Sequence, residues 1–242
     1  MSGASVELRA ARVSLVTGIT SALSIVMQLV SVPVCIKFWG QHTYGVWLTV
    51  LAAFMLIRSL DSGYVAYAGN KLNYLYHADR PALQTHLASA VSGSIVVGVA
   101  EFVLAVTVTL WQPLAQGLGM VDAAGTDVGD RIGLLVLTAS WVLSGPYLGI
   151  VHRLLTPAGM MYQAAWWSML FQAIQFLAII VAALAGLTIL QTSAVFAMAQ
   201  AGVYLASAWY VAVKLPAFYP WWRGSQWRVN QRRCRRGSGG PT

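Results

Sequence analysis

The chain is 242 residues long, 58% hydrophobic and only 9% charged, with a mean hydropathy of +0.66 and a formal net charge of +8. A soluble domain carries about 25% charged residues, so this composition cannot cover a water-facing surface and excludes an ordinary soluble domain. The positive balance does not point to nucleic acid. Seven of the fifteen basic residues (Lys214, Arg223, Arg228, Arg232, Arg233, Arg235 and Arg236) sit at the C-terminal end, where a basic cluster after an apolar run sets topology or touches anionic lipid.

A bilayer core needs roughly 20 apolar residues per helical span. Residues 1–13 are polar and mildly basic. The first apolar run is 14–38, with Pro33 near its outer end; no small-residue cleavage site follows, so it reads as a retained span. The second, 44–76, is too long to cross once and stop: a helix of that length extends about 50 Å, and Gly63 is its natural break point. The third run is 83–110. A Gly- and Asp-rich loop, 112–130, leads to the fourth, 132–151, which Gly145-Pro146 interrupts. The fifth and sixth are 162–184 and 192–213. No segment shows the ten-residue alternation of a barrel strand. The expected architecture is an all-α membrane protein of six transmembrane helices. It comprises a cytoplasmic segment 1–13, a six-helix lobe 14–213 and a basic, Trp-rich cytoplasmic tail 214–242.

Charge assigns the sides. With the N-terminus inside, the inner segments hold Arg9, Arg12, Lys71, Arg80, Arg153 and the seven tail cations, twelve in all, against Lys37 and Arg131 outside. That bias predicts both termini in the cytoplasm. Trp39, Tyr44 and Trp47 at one end, and Tyr162, Trp166, Trp167, Tyr219, Trp221, Trp222 and Trp227 at the other, are expected as interfacial anchors. Cys35 and Cys234 fall on opposite sides, which argues against a disulfide.

Three charges lie within apolar runs, where insertion costs at least about 2.5–3.5 kcal/mol each. Arg58 and Asp61 are three residues apart and share a helix face; they either neutralise one another or line a water-filled cavity. Glu101 is in mid-run with no cation nearby in sequence. It is a candidate for ion coupling, or for pairing with Arg58 or a packing partner. Gln28, Gln172, Gln175, Gln200 and Asn70 read as interhelical hydrogen-bonding groups. His42, His77, His86 and His152 fall in or near loops on different sides. No paired-His motif, phosphate-cradling loop or activated nucleophile is present, so neither an enzyme nor a metal or cofactor site is expected.

Residues 32–93 carry a specific pattern: Val32-Pro33, Phe38-Trp39-Gly40, Tyr44-Gly45-Val46-Trp47, Asp61-Ser62-Gly63 and Gly69-Asn70-Lys71-Leu72-Asn73. This resembles the O-antigen-type polysaccharide flippases of the multidrug/oligosaccharidyl-lipid/polysaccharide exporter superfamily, with Trp39-Gly40 where Leu-Gly is usual. The resemblance implies a bacterial cytoplasmic-membrane transporter that flips lipid-linked sugar repeat units. Its partners would be membrane lipid and a polyprenyl-diphosphate-linked oligosaccharide. It implies substrate-binding roles for Arg58, Asp61 and Asn70, with Lys37 and Lys71 at the rims. It also implies structural roles for Pro33, for Gly40 and Gly45 in the outer turn, for Trp47 as an anchor and for Gly63 as a bend. Family members have two lobes of about six helices, so this chain corresponds to one lobe. The expectation is a fragment or truncated frame, or a lobe that works as a parallel homodimer. The rival readings are a non-transporting membrane protein or inactive remnant, in which the three charges pair off and no groove exists, and a drug or ion exporter of the same superfamily.

Overall fold

Apolar stretches of this length must satisfy their backbone hydrogen bonds internally, and helices do so within one segment. A computed structural model describes residues 3–111 and 128–222. Among them there is no strand. Helix α1 spans Gly3–Arg58, α2 Ser62–Ala78, α3 Arg80–Leu110, α4 Val128–His152, α5 Met161–Leu184 and α6 Ile189–Lys214. The readings placed on residues 112–127 of the Gly- and Asp-rich loop, on the side chains of Arg9 and Arg12, and on the tail with Trp227 and Cys234 lie outside the described residues.

Five stretches are long and apolar enough to cross a membrane by length and composition: Ser14–Ala78, Arg80–Leu110, Arg131–Leu155, Met161–Leu184 and Ile189–Lys214. Their outward faces carry large apolar side chains such as Leu29, Leu56, Val96, Leu143 and Trp209, all exposed. That pattern suits lipid rather than water as the surrounding solvent. The first stretch, 65 residues, would measure roughly 100 Å as a straight helix, and the chain does not run it straight. Gly40 breaks α1 with φ 79° and ψ 163°, backbone space essentially open to glycine alone. The Trp39 and Trp47 rings meet across the break at 6.3 Å between centroids. Eight residues of straight helix would separate them by about 12 Å, so the chain bends sharply there.

The two halves of α1 have different neighbours. The first half lies against α5, where Ser24 Oγ donates to Gln172 Oε1 at 2.8 Å. The second half packs into a cluster with α3, α4 and α6 through Trp47, Phe54, Leu134, Leu137 and Phe196. A second cluster, built on Leu72, Leu87, Leu148, Leu154 and Val211, joins α2, α3, α4 and α6 at the opposite end of the bundle. Caps define the turns at both ends. Asp79 accepts from the Ala82 N–H at 3.0 Å to open α3, and Thr188 and Gln191 form a capping box on α6. Gly186 ends α5 with the 6→1 and 5→2 bonds of a Schellman turn, Leu187 to Ala182 and Gly186 to Ala183.

Three expectations change here. Trp47 is 1% exposed and stacks edge-on against Phe196 at 5.9 Å; it is a core residue rather than an interfacial anchor, because the bend turns its face inward. Gly45 stays helical, so Gly40 alone makes the break. The irregularity in the second apolar run falls at the 3-10 turn Ser59–Asp61, just before Gly63, which is itself helical. Pro33 stands inside α1 shortly before the break.

Gly40→Ala should destabilise the fold by about 1–3 kcal/mol, through the forbidden backbone region. Gly45→Ala, on helical backbone with open space around it, should be neutral or slightly stabilising. Thermal unfolding of the detergent-solubilised protein compares the two.

Candidate functional site

Between the two apolar clusters lies a layer of buried and half-buried polar side chains. Arg58 and Asp61 come from the end of α1 and its 3-10 turn. Glu101 comes from α3, Trp141 and Ser144 from α4, and Gln200, Tyr204 and Ser207 from α6. Each of these helices contributes apolar residues to both clusters, or to one on either side of the turn, with the polar positions between them in sequence.

Trp141 is the centre of this layer. Its indole folds down over Gly145, one turn further along α4; a β-carbon at Gly145 would collide with the indole ring. So placed, Trp141 is 4% exposed and its ring has two polar partners. On one side the indole N–H donates to Glu101 Oε2 at 3.0 Å. On the other, the Arg58 guanidinium stands 4.0 Å from the ring centroid, within the range of a cation–π contact. Arg58 also donates to the Tyr204 hydroxyl at 3.4 Å and lies 5.9 Å from the Phe171 ring. Tyr204 completes the box, edge-on to Trp141 at 5.7 Å and 5.0 Å from Phe171. The guanidinium is thus flanked by three aromatic residues from three helices and stays half-buried, with the cavity on its open side. Arg has the weakly hydrated, planar cation suited to this.

Glu101 is 1% exposed and Asp61 5%. Oε1 of Glu101 and Oδ2 of Asp61 have no hydrogen-bond partner among the described residues. The two carboxyl groups and Arg58 are close enough to act on one another electrostatically. With both acids ionised the trio carries one net negative charge, and a proton or a cation taken up there brings it to neutrality. Arg58 therefore does not simply cancel Asp61 at i+3. Its short contacts are to Trp141 and Tyr204.

A cavity of about 930 Å³ opens beside this layer. Arg58, Asp61, Trp141, Gln172, Gln175 and Tyr204 line its deep part, and His152, Arg153, Thr156 and Ser168 line its far end. It runs from mid-bundle toward the end that carries the Arg153–Met160 turn; no residue near Gly40 lines it. Of the residues singled out from sequence, Arg58 and Asp61 face this cavity together. Glu101 sits behind Trp141 and reaches the cavity only through it. Asn70 is exposed on α2, and neither it nor Lys37 nor Lys71 lines the cavity. Gln172 fulfils its expected interhelical hydrogen bond and lines the cavity as well. Trp141, Phe171, Tyr204 and Arg153 were not singled out from sequence for a site. For Trp141 a signal existed, since an aromatic followed one turn later by Gly-Pro marks a ring laid over a bare helix face.

Neither family models, nor curated proteins, nor solved structures provide a match for this chain.

Trp141→Phe leaves Glu101 buried without its donor, and Glu101→Ala leaves the indole N–H orphaned. Each should destabilise the solubilised protein by about 1–3 kcal/mol. Glu101→Gln, which keeps an acceptor, should do less harm. A double-mutant cycle on the unfolding midpoints should show strong coupling between positions 101 and 141.

Proposed function

We propose that the chain is a six-span lobe in the bacterial cytoplasmic membrane, with both termini inside. In this reading it forms the N-terminal lobe of a transporter that flips lipid-linked polysaccharide repeat units. The break at Gly40 divides the Ser14–Ala78 stretch into two spans, which with the other four makes six. The positive-inside bias then places the Arg153 end of the cavity toward the cytoplasm.

The observation that carries the reading is the cavity itself, with a guanidinium and a buried carboxylate on its wall at bundle mid-depth. Charges there are costly and are retained where they serve a polar passage. A cavity of this volume suits a ligand head group of moderate size, since small-molecule pockets span about 300–1,000 Å³. Arg58 is the deep cation that meets a diphosphate, through charge-assisted bonds that the ring contact with Trp141 does not block. Gln172, Gln175 and Ser207 offer hydrogen bonds to sugar hydroxyls, while the polyprenyl tail stays in the bilayer. Asp61 and Glu101 beside Arg58 supply a site where a proton or cation exchanges with substrate charge. Movement of substrate to the other side requires a second lobe, in another chain segment or a second copy, against which this one rocks.

Fusions at the C-terminus test the topology. A fluorescent protein there should fold and fluoresce, and a periplasm-dependent alkaline phosphatase should be inactive; the reverse result overturns the orientation. For the ligand, the chain in lipid nanodiscs should bind a polyprenyl-diphosphate-linked sugar. Arg58→Ala should weaken binding at least about tenfold, that is by about 1.4 kcal/mol or more, and Arg58→Lys by less, keeping charge but losing the forked geometry. Equal binding by wild type and Arg58→Ala sinks the assignment.

A further inference from the structure

Resting on that reading of the cavity, we propose that Arg153 forms a separate phosphate-docking subsite at the cavity mouth. A lipid-linked diphosphate is captured there first and then handed inward to Arg58.

The mouth is built to hold one guanidinium in place. Arg153 opens the 3-10 turn Arg153–Leu155 at the end of α4. The turn is pinned by Val151, Leu154 and Leu155, all fully buried, while Arg153 itself is exposed and lines the cavity. Its side chain is laid across α2 at Gly69. A β-carbon there would stand 2.5 Å from Arg153 Cδ, 3.1 Å from Nη1 and 3.2 Å from Nε. The bare helix surface at Gly69 is therefore the bed that directs the guanidinium over the cavity mouth. The Arg153 guanidinium makes no hydrogen bond or ion pair with a described residue. His152, with Nδ1 unpartnered among the described residues, and the Thr156 and Ser168 side chains line the same end.

The two arginines are in different states. Arg58 is flanked by Trp141, Phe171 and Tyr204, whereas Arg153 is solvent-facing and uncommitted. They also sit at different levels of the wall. The indole under Arg58 lies over Gly145, and Arg153 follows Gly145 by eight positions, roughly 12 Å along a helix axis. Between them the wall offers Pro146, Gly149, Ala164 and Ala165 and no other Lys or Arg. A negative group entering from the mouth thus meets a free forked cation first and an aromatic-flanked one later. Rim charges of this kind govern association and its salt dependence, while enclosed partners govern dissociation.

The bland role for Arg153 is as a topology-setting charge. Gly69→Ala separates the two, because it displaces the side chain and leaves its charge in the loop. Arg153→Lys also keeps the charge and removes the fork.

The experiment measures stopped-flow binding of a fluorescent short-chain isoprenyl diphosphate to the full chain in phosphatidylcholine nanodiscs. Arg153→Ala should lower the association rate about tenfold and flatten its salt dependence, with dissociation changed less than about twofold. Gly69→Ala should reproduce this, and Arg153→Lys should fall between. Arg58→Ala should instead speed dissociation. An unchanged association rate and salt slope in Arg153→Ala overturns the subsite, and so does Arg153→Lys or Gly69→Ala, folded and correctly oriented, matching wild type. If unlabelled isoprenyl diphosphate competes and inorganic diphosphate at equal concentration does not, the ligand is lipid-linked, as proposed; equal competition by inorganic diphosphate overturns that assignment in favour of free diphosphate. If phosphatidylglycerol nanodiscs slow wild-type association to the Arg153→Ala rate, the subsite belongs to bilayer head groups and the handover is overturned. Failure of wild type to bind the probe at all removes the flippase reading itself.

Discussion

A guanidinium placed at mid-depth in an apolar bundle must be given partners by the protein, because no lipid tail can supply them. Arg58 is that group, and much of the architecture between the two apolar clusters answers to it. Gly145 leaves a bare face on α4, Trp141 lies down on it, and the buried indole then presents its ring to Arg58 and its N–H to Glu101. Tyr204 and Phe171 flank Arg58 further, and its open side faces the cavity. Removing Trp141 or Glu101 leaves the other with a buried polar atom that has lost its partner, so these two positions are coupled.

This arrangement changes how Glu101 is understood. As a lone carboxylate in an apolar run it invites an ion-coupling role. In the structure it is also the anchor that orients the indole holding Arg58. The two roles are compatible, because a change in charge at Glu101 acts on the strength of the Trp141 hydrogen bond and through it on the ring under Arg58. Asp61 differs: it lines the cavity directly, with one oxygen unpartnered among the described residues. The acid behind the ring and the acid on the wall are thus placed to feel different things, the first the packing of the bundle, the second whatever enters the cavity.

The bundle is asymmetric. Trp47, Phe54 and Phe196 fill the Gly40 end, while near the other end Ala164 and Ala165 of α5 line the open cavity.

What the linear order determined by itself was the class of the fold and the site of its sharpest break; the breaks expected at Gly63 and at Gly145-Pro146 are instead helical, and α4 runs unbroken through Pro146. Composition demanded lipid as solvent, apolar run lengths set the helices, and the glycine-containing turn at residues 40–45 marked the sharpest bend. The cost of burying charge drew attention to Arg58, Asp61 and Glu101, all of which belong to the central layer. Helical spacing also put Arg58 and Asp61 on one cavity wall. What only the tertiary structure decided was partnership. Spacing along one helix reveals neighbours at i+3 and i+4 and is silent about a residue forty positions away on another helix. Hence Trp141, the true partner of both Glu101 and Arg58, was legible only as an aromatic before a Gly-Pro pair. For the same reason Trp47 read as an anchor until the bend turned it inward, Asn70 read as a site residue although it lies outside the cavity, and Arg153 read as a loop charge until Gly69 on another helix was seen to bed it. Run length and burial cost are properties of a segment and its solvent; the contacts that make a site are properties of faces, and those exist only once the helices have been packed.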